Sequence, residues 1–245
     1  MRCQLTKKTL VDICLNNNQS CLLCDEPAEQ AHPICTACEG ELPWLDEHCR
    51  ICALPLPING MLCDLCARRR PAFRTVEAPW HYGFPIDALI TRFKHQRQWP
   101  QGRLLALMLG NRLVHRFAEG LPRPALLLPV PMSAQRLRRR GYNQAAMLGT
   151  WLAAQLAIPC DDRLLSRPRD TPAQQELDAR ARRRNLKDAF AITRPDAIDG
   201  LHLALVDDVL TTGATAQTLA RLLRDAGAAR VDVYCLARTP RPGSA

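Results

Sequence analysis

Two patterns in this 245-residue sequence place chemistry-bearing side chains at spacings that restrict what they can do. The first is Leu203-Ala204-Leu205-Val206-Asp207-Asp208-Val209-Leu210-Thr211-Thr212-Gly213-Ala214-Thr215. An apolar run that reads as a buried strand ends in two carboxylates, then in a small, hydroxyl-rich turn that opens a helix. Backbone N–H groups of Thr211, Thr212, Gly213, Ala214 and Thr215 at a helix N-terminus form a cradle for an anion, and the threonine hydroxyls add hydrogen bonds to phosphate oxygens. Asp207 and Asp208 stand where acceptors can hold the vicinal hydroxyls of a ribose. The pattern suits a phosphorylated sugar. A plain strand-to-helix connection capped by Asp would need only one of the two carboxylates.

The second pattern is made of thiols. Eight of the 12 cysteines form four C-x-x-C knuckles, Cys21/Cys24, Cys35/Cys38, Cys49/Cys52 and Cys63/Cys66, whose first members recur every 14 residues. Two knuckles complete a tetrahedral all-thiolate site, so eight thiolates imply two structural Zn2+ ions. Redox-active pairs or an iron-sulfur cluster do not account for four evenly spaced pairs outside any α/β pattern. Four knuckles can pair in three ways. The shortest loops favour neighbours, with Cys21, Cys24, Cys35 and Cys38 at one ion and Cys49, Cys52, Cys63 and Cys66 at the other. His32 and His48 lie nearby, but a full thiolate set leaves them as bystanders. Cys3, Cys14, Cys160 and Cys235 have no knuckle partner and receive no role.

These side chains need elements to hold them, and the sequence divides into three parts. Residues 1–20 form a leader with a short helix over 5–15. Residues 21–70 form a double zinc-ribbon module, in which Pro33, Pro43, Pro55 and Pro57 favour turns over long regular elements. Residues 74–240 alternate strand and helix, with strands expected over 75–82, 125–130, 163–166, 202–206 and 230–236. Helices are expected over 86–95, 102–117, 143–156, 172–186 and 215–226. Such alternation builds an α/β domain, a parallel sheet with helices on both faces, whose ligands bind at the carboxyl ends of the strands. Asp207 to Thr215 lie at one such end. Val130, Pro131 and Met132 lie at another, followed by Arg136, Arg138, Arg139 and Arg140. Prolines fix the backbone there, and arginines supply the fixed charge that a diphosphate needs.

Charge adds a phosphate-seeking character. Lys+Arg number 33 against 24 Asp+Glu, a formal net charge of +9, and all but four of the 33 are arginine. Residues 131–195 hold 13 basic and 6 acidic side chains, so most of the excess lies in one segment. Arg138, Arg182, Arg183, Arg184 and Lys187 are candidates for contact with nucleic acid or phosphate. A merely solvated basic helix is the alternative. Aromatic residues make up only 5% of the chain, so platforms for base stacking are not obvious. No apolar run approaches the roughly 18 residues of a membrane span, and the first residues lead into no signal-peptide core. A cytoplasmic protein without membrane insertion is the expectation.

Taken in order, the four knuckles, Arg92-Phe93-Lys94, Pro129-Val130-Pro131, Arg140-Gly141-Tyr142-Asn143-Gln144, Arg182-Arg183-Arg184-Asn185-Leu186 and Val206 to Thr215 resemble the ComF/GntX family over most of the chain. The loop from Val206 to Thr215 also resembles that of the type I phosphoribosyltransferases, which bind phosphoribosyl pyrophosphate (PRPP). What the resemblance implies is a zinc ribbon before a type I phosphoribosyltransferase-like domain, in a factor that handles incoming single-stranded DNA in natural transformation or DNA utilisation. It assigns the 5-phosphate of PRPP to Thr211, Thr212, Gly213, Ala214 and Thr215, and the ribose and Mg2+ to Asp207 and Asp208. The pyrophosphate falls to Val130, Pro131, Met132, Arg139 and Arg140. A DNA-uptake helicase or processing protein is implied as a partner. An active phosphoribosyltransferase with an unidentified acceptor, or a PRPP-sensing regulator, are the alternatives.

Overall fold

The structure is a computed structural model that describes residues 19–58, 60–168 and 189–241. The expected helices over 5–15 and 172–186 lie outside the described residues, as do Arg182, Arg183, Arg184 and Lys187. The chain divides into two compact units, Met1–Leu42 and Pro43–Ala245. In the first, an antiparallel pair, β1 (Gln19–Ser20) and β2 (Pro27–Ala28), precedes a short helix α1 (Thr36–Gly40). Cys35 caps that helix, its sulfur accepting from the Cys38 N–H.

The second unit begins with the third and fourth knuckles and the helix α2 (Asp64–Arg68), then enters the sheet through β3 (Val76–Glu77) and β4 (Trp80–His81). A single strand was expected over 75–82. It is interrupted at Ala78-Pro79, where proline brings no N–H to a ladder and its carbonyl turns aside to accept from Leu45 N at 2.8 Å. Two helices follow, α3 (Ile86–Gln96) and α4 (Trp99–Ala118), then β5 (Leu126–Pro129), α5 (Ala134–Arg140) and α6 (Gln144–Leu156). β6 (Leu165–Ser166) pairs with β7 (Ala191–Ile192) as a separate antiparallel ribbon. β8 (His202–Leu210), α7 (Ala214–Asp225) and β9 (Arg230–Arg238) complete the chain.

The sheet has the order β3-β9-β8-β5, with β4 following β3 along the same edge of β9, and all of its pairs are parallel. The fold is therefore the expected parallel α/β sheet, and its pleat sorts the core. Leu203 and Leu205 face α7 together with Cys235 and Val233, and this apolar cluster runs on through Leu219 and Leu223 to Cys49, Cys63 and Cys66. α7 is amphipathic, burying Ala216, Leu219, Ala220 and Leu223 along one stripe. The alternate residues of β8 face the other way, where α6 packs on β5 and β8 and α4 packs on α6. Glycines allow those approaches: a Cβ on Gly149 would stand 2.7 Å from Pro129 Cγ, and one on Gly102 would stand 2.5 Å from the Phe93 ring.

Candidate functional site

Both zinc sets are assembled as neighbouring knuckles. Ligand sulfurs of Cys21, Cys24, Cys35 and Cys38 lie within 4.8 Å of one another, as do those of Cys49, Cys52, Cys63 and Cys66, which resolves the pairing. Cys24 and Cys35 Sγ are 3.7 Å apart and Cys52 and Cys63 Sγ 3.6 Å apart. Tetrahedral Zn–S bonds of about 2.3 Å require S···S separations of about 3.8 Å, so each set fits one zinc ion. Backbone donors support thiolates in the first set, with Leu23 N 3.4 Å from Cys21 Sγ and Cys38 N 3.4 Å from Cys35 Sγ. Burial alone would raise the Cys21 thiol, but N–H groups of Cys35, Leu23 and Cys24 outweigh it and bring it down to about 6. Cys66 goes the other way, raised by burial and by the facing Cys52 thiolate. Four thiolates in one shell need a dication to ionise together. His32 and His48 belong to neither set; His48 Nδ1 is 3.1 Å from the Asp46 carbonyl.

The strand carrying the carboxylates is longer than expected. It continues to Leu210 because β9 is long enough to pair with it, Val209 opposite Ala237 and Leu210 opposite Arg238. Asp207 and Asp208 therefore sit inside β8 near its carboxyl end, and the pleat turns them to opposite faces. Asp207 shares the face of Cys235 and α7. Asp208 shares the face of α3, and its Oδ2 lies 3.0 Å from Lys94 Nζ. That contact is an ion pair and not a directed hydrogen bond, since the buried Oδ2 accepts none. Burial and the adjacent Asp208 charge push the Asp207 carboxyl up to about 8, against the Asp208 N–H and Lys94, which favour ionisation.

Lys94 opens onto a cleft of about 320 Å³ lined by Lys94, His95, Arg97, Arg136, Arg139 and Arg140. Lys94 and His95 occupy the last turn of α3, and Arg97 caps it in the left-handed region at φ 56°. The remaining three arginines come from α5, an element not anticipated as a helix. Ser133 starts it by accepting from Arg136 N, and Gly141 ends it at φ 88°. Arg138 is exposed on the same helix and is not among the lining residues. Burial, then the charges of Arg140, Lys94 and Arg139, hold His95 below the usual histidine range, so it is neutral among cations. The loop of Val130, Pro131 and Met132 joins this cleft to the sheet: Val130 N donates to Val206 O at 2.9 Å, and Asn143 Nδ2 donates to Val130 O at 3.1 Å.

The threonine-rich turn closes the other side of the strand end. Thr211, Thr212 and Ala214 are exposed, and Gly213 takes φ 75° as the residue before α7, with no side chain capping the helix. Within the turn the Ala214 N–H donates to Thr212 Oγ1 at 3.3 Å, and a helix N-terminus without an N-cap side chain is where further N–H groups can meet an anion. One residue that sequence reading missed holds this turn. Arg238, buried at the end of β9, donates to the carbonyl of Leu210 at 2.9 Å, to that of Thr211, and through Nε to that of Cys52 at 3.0 Å. The third knuckle and the threonine-rich turn are joined through one guanidinium. Sequence offered no signal for this, because the partners are backbone carbonyls.

Comparison with known proteins follows from this geometry. A family described as a double zinc ribbon domain matches residues 10–67. The chain is 37% identical over 221 residues to the DNA utilization protein YhgH of Salmonella typhi, covering 89% of this chain and 96% of that protein. It is 35% identical over 208 residues to competence protein F of Haemophilus influenzae, covering 84% of this chain and 90% of that one. Among solved structures, a purine phosphoribosyltransferase from Pyrococcus horikoshii is 16% identical, with 55% of this chain and 70% of that chain aligned at a TM-score of 0.34.

Proposed function

Because the chain belongs to the ComF/GntX family of competence and DNA utilisation proteins, we propose that it handles incoming single-stranded DNA in the cytoplasm and binds PRPP with Mg2+ at the carboxyl end of its sheet. The observation that carries the PRPP reading is the Lys94–Asp208 pair, which joins a carboxylate of the strand end to a cleft lined by cations from α3 and α5. A ligand with a diphosphate at one end and a phosphate at the other matches that layout. Arg97, Arg136, Arg139 and Arg140 take the diphosphate as fixed charges. The N–H groups and hydroxyls from Thr211 to Thr215 take the 5-phosphate, and the ribose lies at the strand end on the side of Asp208, where Lys94 opens onto the cleft.

A carboxylate oxygen suits Mg2+, a hard cation that takes oxygen ligands. Asp208, on the cleft side of the strand with its Oδ2 3.0 Å from Lys94 Nζ, would hold the ion, which would supply neutralising charge to the diphosphate. Lys94, on the cleft lining, would face the same anion. We take binding as the function, with transfer to an unidentified acceptor as the alternative, for which His95 would be the candidate base in the cleft lining.

Thermal denaturation with and without PRPP and Mg2+ tests the reading. A ligand at about 100 times its Kd adds about 2.7 kcal/mol, or about 5–10 °C for a domain of this size. Lys94→Met and the double variant Arg139→Gln/Arg140→Gln should lose that shift while keeping both zinc ions. An equal shift in these variants and the wild type would contradict the assignment, and release of pyrophosphate on addition of an acceptor would favour the transferase alternative.

A further inference from the structure

The arginine-rich character of the chain has a second focus, at the end of the sheet away from the proposed PRPP site. A groove of about 1050 Å³ lies where the third knuckle, residues 70–75 and the carboxyl end of α7 meet the start of β9. Six arginines line it, Arg50, Arg70, Arg74, Arg221, Arg224 and Arg230, against one carboxylate, Asp225. Two of the six are held by the protein: Arg224 donates to the carbonyls of Ala228 and Ala229, and Arg230 Nε lies 3.0 Å from both Asp232 oxygens. Arg50, Arg70, Arg74 and Arg221 have no carboxylate within ion-pair distance among the described residues. Four guanidiniums left without counter-charge along one open groove are a site for a polyanion.

We propose that this groove holds the sugar-phosphate backbone of single-stranded DNA, a refinement that rests on the DNA-handling reading above. Planar guanidiniums match phosphate oxygens two at a time, and the four come from separate parts of the lining, the third knuckle, residues 70–75 and α7, so they can meet successive phosphates. Phe73 is the one aromatic in its lining and is buried to 5% exposure, leaving no ring for base stacking. Contact is therefore with phosphate and not base, and binding is independent of sequence. The walls are preset by the fold. Arg74 N donates to Val231 O at 2.7 Å, and Arg50 stands inside the Cys49/Cys52 knuckle with its N–H on Met61 O at 3.2 Å. Arg230 begins β9 and Arg238 ends it, so at about 3.3 Å per residue the groove and the phosphate turn are about 26 Å apart. DNA in the groove and PRPP at the strand end would not compete.

The test is the salt dependence of binding to a fluorescent oligothymidylate. Each phosphate neutralised on a single strand contributes about 0.7 to the slope of log K against log salt. Arg50→Gln/Arg70→Gln/Arg74→Gln/Arg221→Gln, whose zinc content and unfolding midpoint report correct folding, should lower that slope by about 2–3 and weaken binding at least about tenfold. Arg103→Gln/Arg163→Gln, exposed and outside both clefts, should leave both unchanged, and Arg138→Gln/Arg139→Gln/Arg140→Gln in α5 should lower the slope less than the groove variant does. An unchanged slope in the four-arginine variant, or the loss falling instead on the α5 variant, overturns the groove while leaving DNA binding intact. No binding by the wild type defeats the DNA-handling reading itself. Displacement of the oligonucleotide by polyglutamate at equal charge concentration would assign the groove to an acidic polypeptide and overturn the proposal.

Discussion

Asp207 and Asp208 are adjacent, yet their surroundings differ. Asp208 has the ammonium of Lys94 at 3.0 Å; Asp207 faces the side of Cys235 and keeps its proton up to about 8. A carboxyl in an unfolded chain titrates near 3.9, so between about pH 4 and pH 8 the folded state binds more protons than the unfolded one. Stability contributed at this position is thus highest at low pH and declines as pH rises through that window. Asp207→Asn removes the decline. In thermal denaturation at pH 5 to 8.5 the variant should gain on the wild type as pH rises, by about 1 kcal/mol or more at pH 8, or about 2–4 °C. A gain confined to low pH would show that Asp207 is ionised in the fold. The two carboxylates were legible from their place after an apolar run. Lys94 was visible only as part of Arg92-Phe93-Lys94, since nothing local shows that the last turn of α3 meets the end of β8.

At the scale of elements, the strand end and the threonine-rich turn are held because β9 is as long as β8 and because Arg238 donates to the carbonyls where β8 stops. Replacing it by methionine leaves the carbonyls of Leu210, Thr211 and Cys52 without that donor. Leu210 O keeps the Thr239 N–H at 3.2 Å and Thr211 is exposed, so Arg238→Met should lose about 1–3 kcal/mol in urea unfolding, the cost of about one unsatisfied acceptor, and weaken PRPP binding beyond the effect on stability. Full PRPP affinity in a folded Arg238→Met protein would show that the turn holds itself. The long elements were readable from the amphipathic stripe of α7, the Asn143 cap of α6 and the continuous apolar run of β8. Strand ends were not: the end of β8 is set by its pairing with β9, a tertiary fact. The strand expected over 163–166 holds β6, but its two-residue partner β7 is too short for alternation to register, and their antiparallel pairing lies apart from the main sheet. α5 was obscured because its repeated arginines give no apolar stripe.

For the molecule as a whole, the two zinc sets are unequal. Cys49, Cys63 and Cys66 belong to the same apolar cluster as Leu203, Leu205 and Leu219, so the second ion is part of the sheet's own core, whereas the first lies in the separate unit Met1–Leu42. Cys21→Ser/Cys24→Ser should therefore keep one zinc ion per chain and the cooperative unfolding of the larger unit. Cys49→Ser/Cys52→Ser should abolish that transition or lower its midpoint by more than about 10 °C, as expected when metal binding is folding energy. Equal effects of the two variants would contradict this division. The even 14-residue spacing of the knuckles concealed it, since spacing reports that thiols meet and not what they pack against.

The PRPP assignment at the strand end meets its most direct test in titration calorimetry. With PRPP and Mg2+, the wild-type protein should bind one equivalent, and Asp207→Asn/Asp208→Asn, folded and carrying two zinc ions, should bind at least about tenfold more weakly, a loss of about 1.4 kcal/mol. No heat of binding to the folded wild-type protein, or equal affinity in the double variant, would contradict the account.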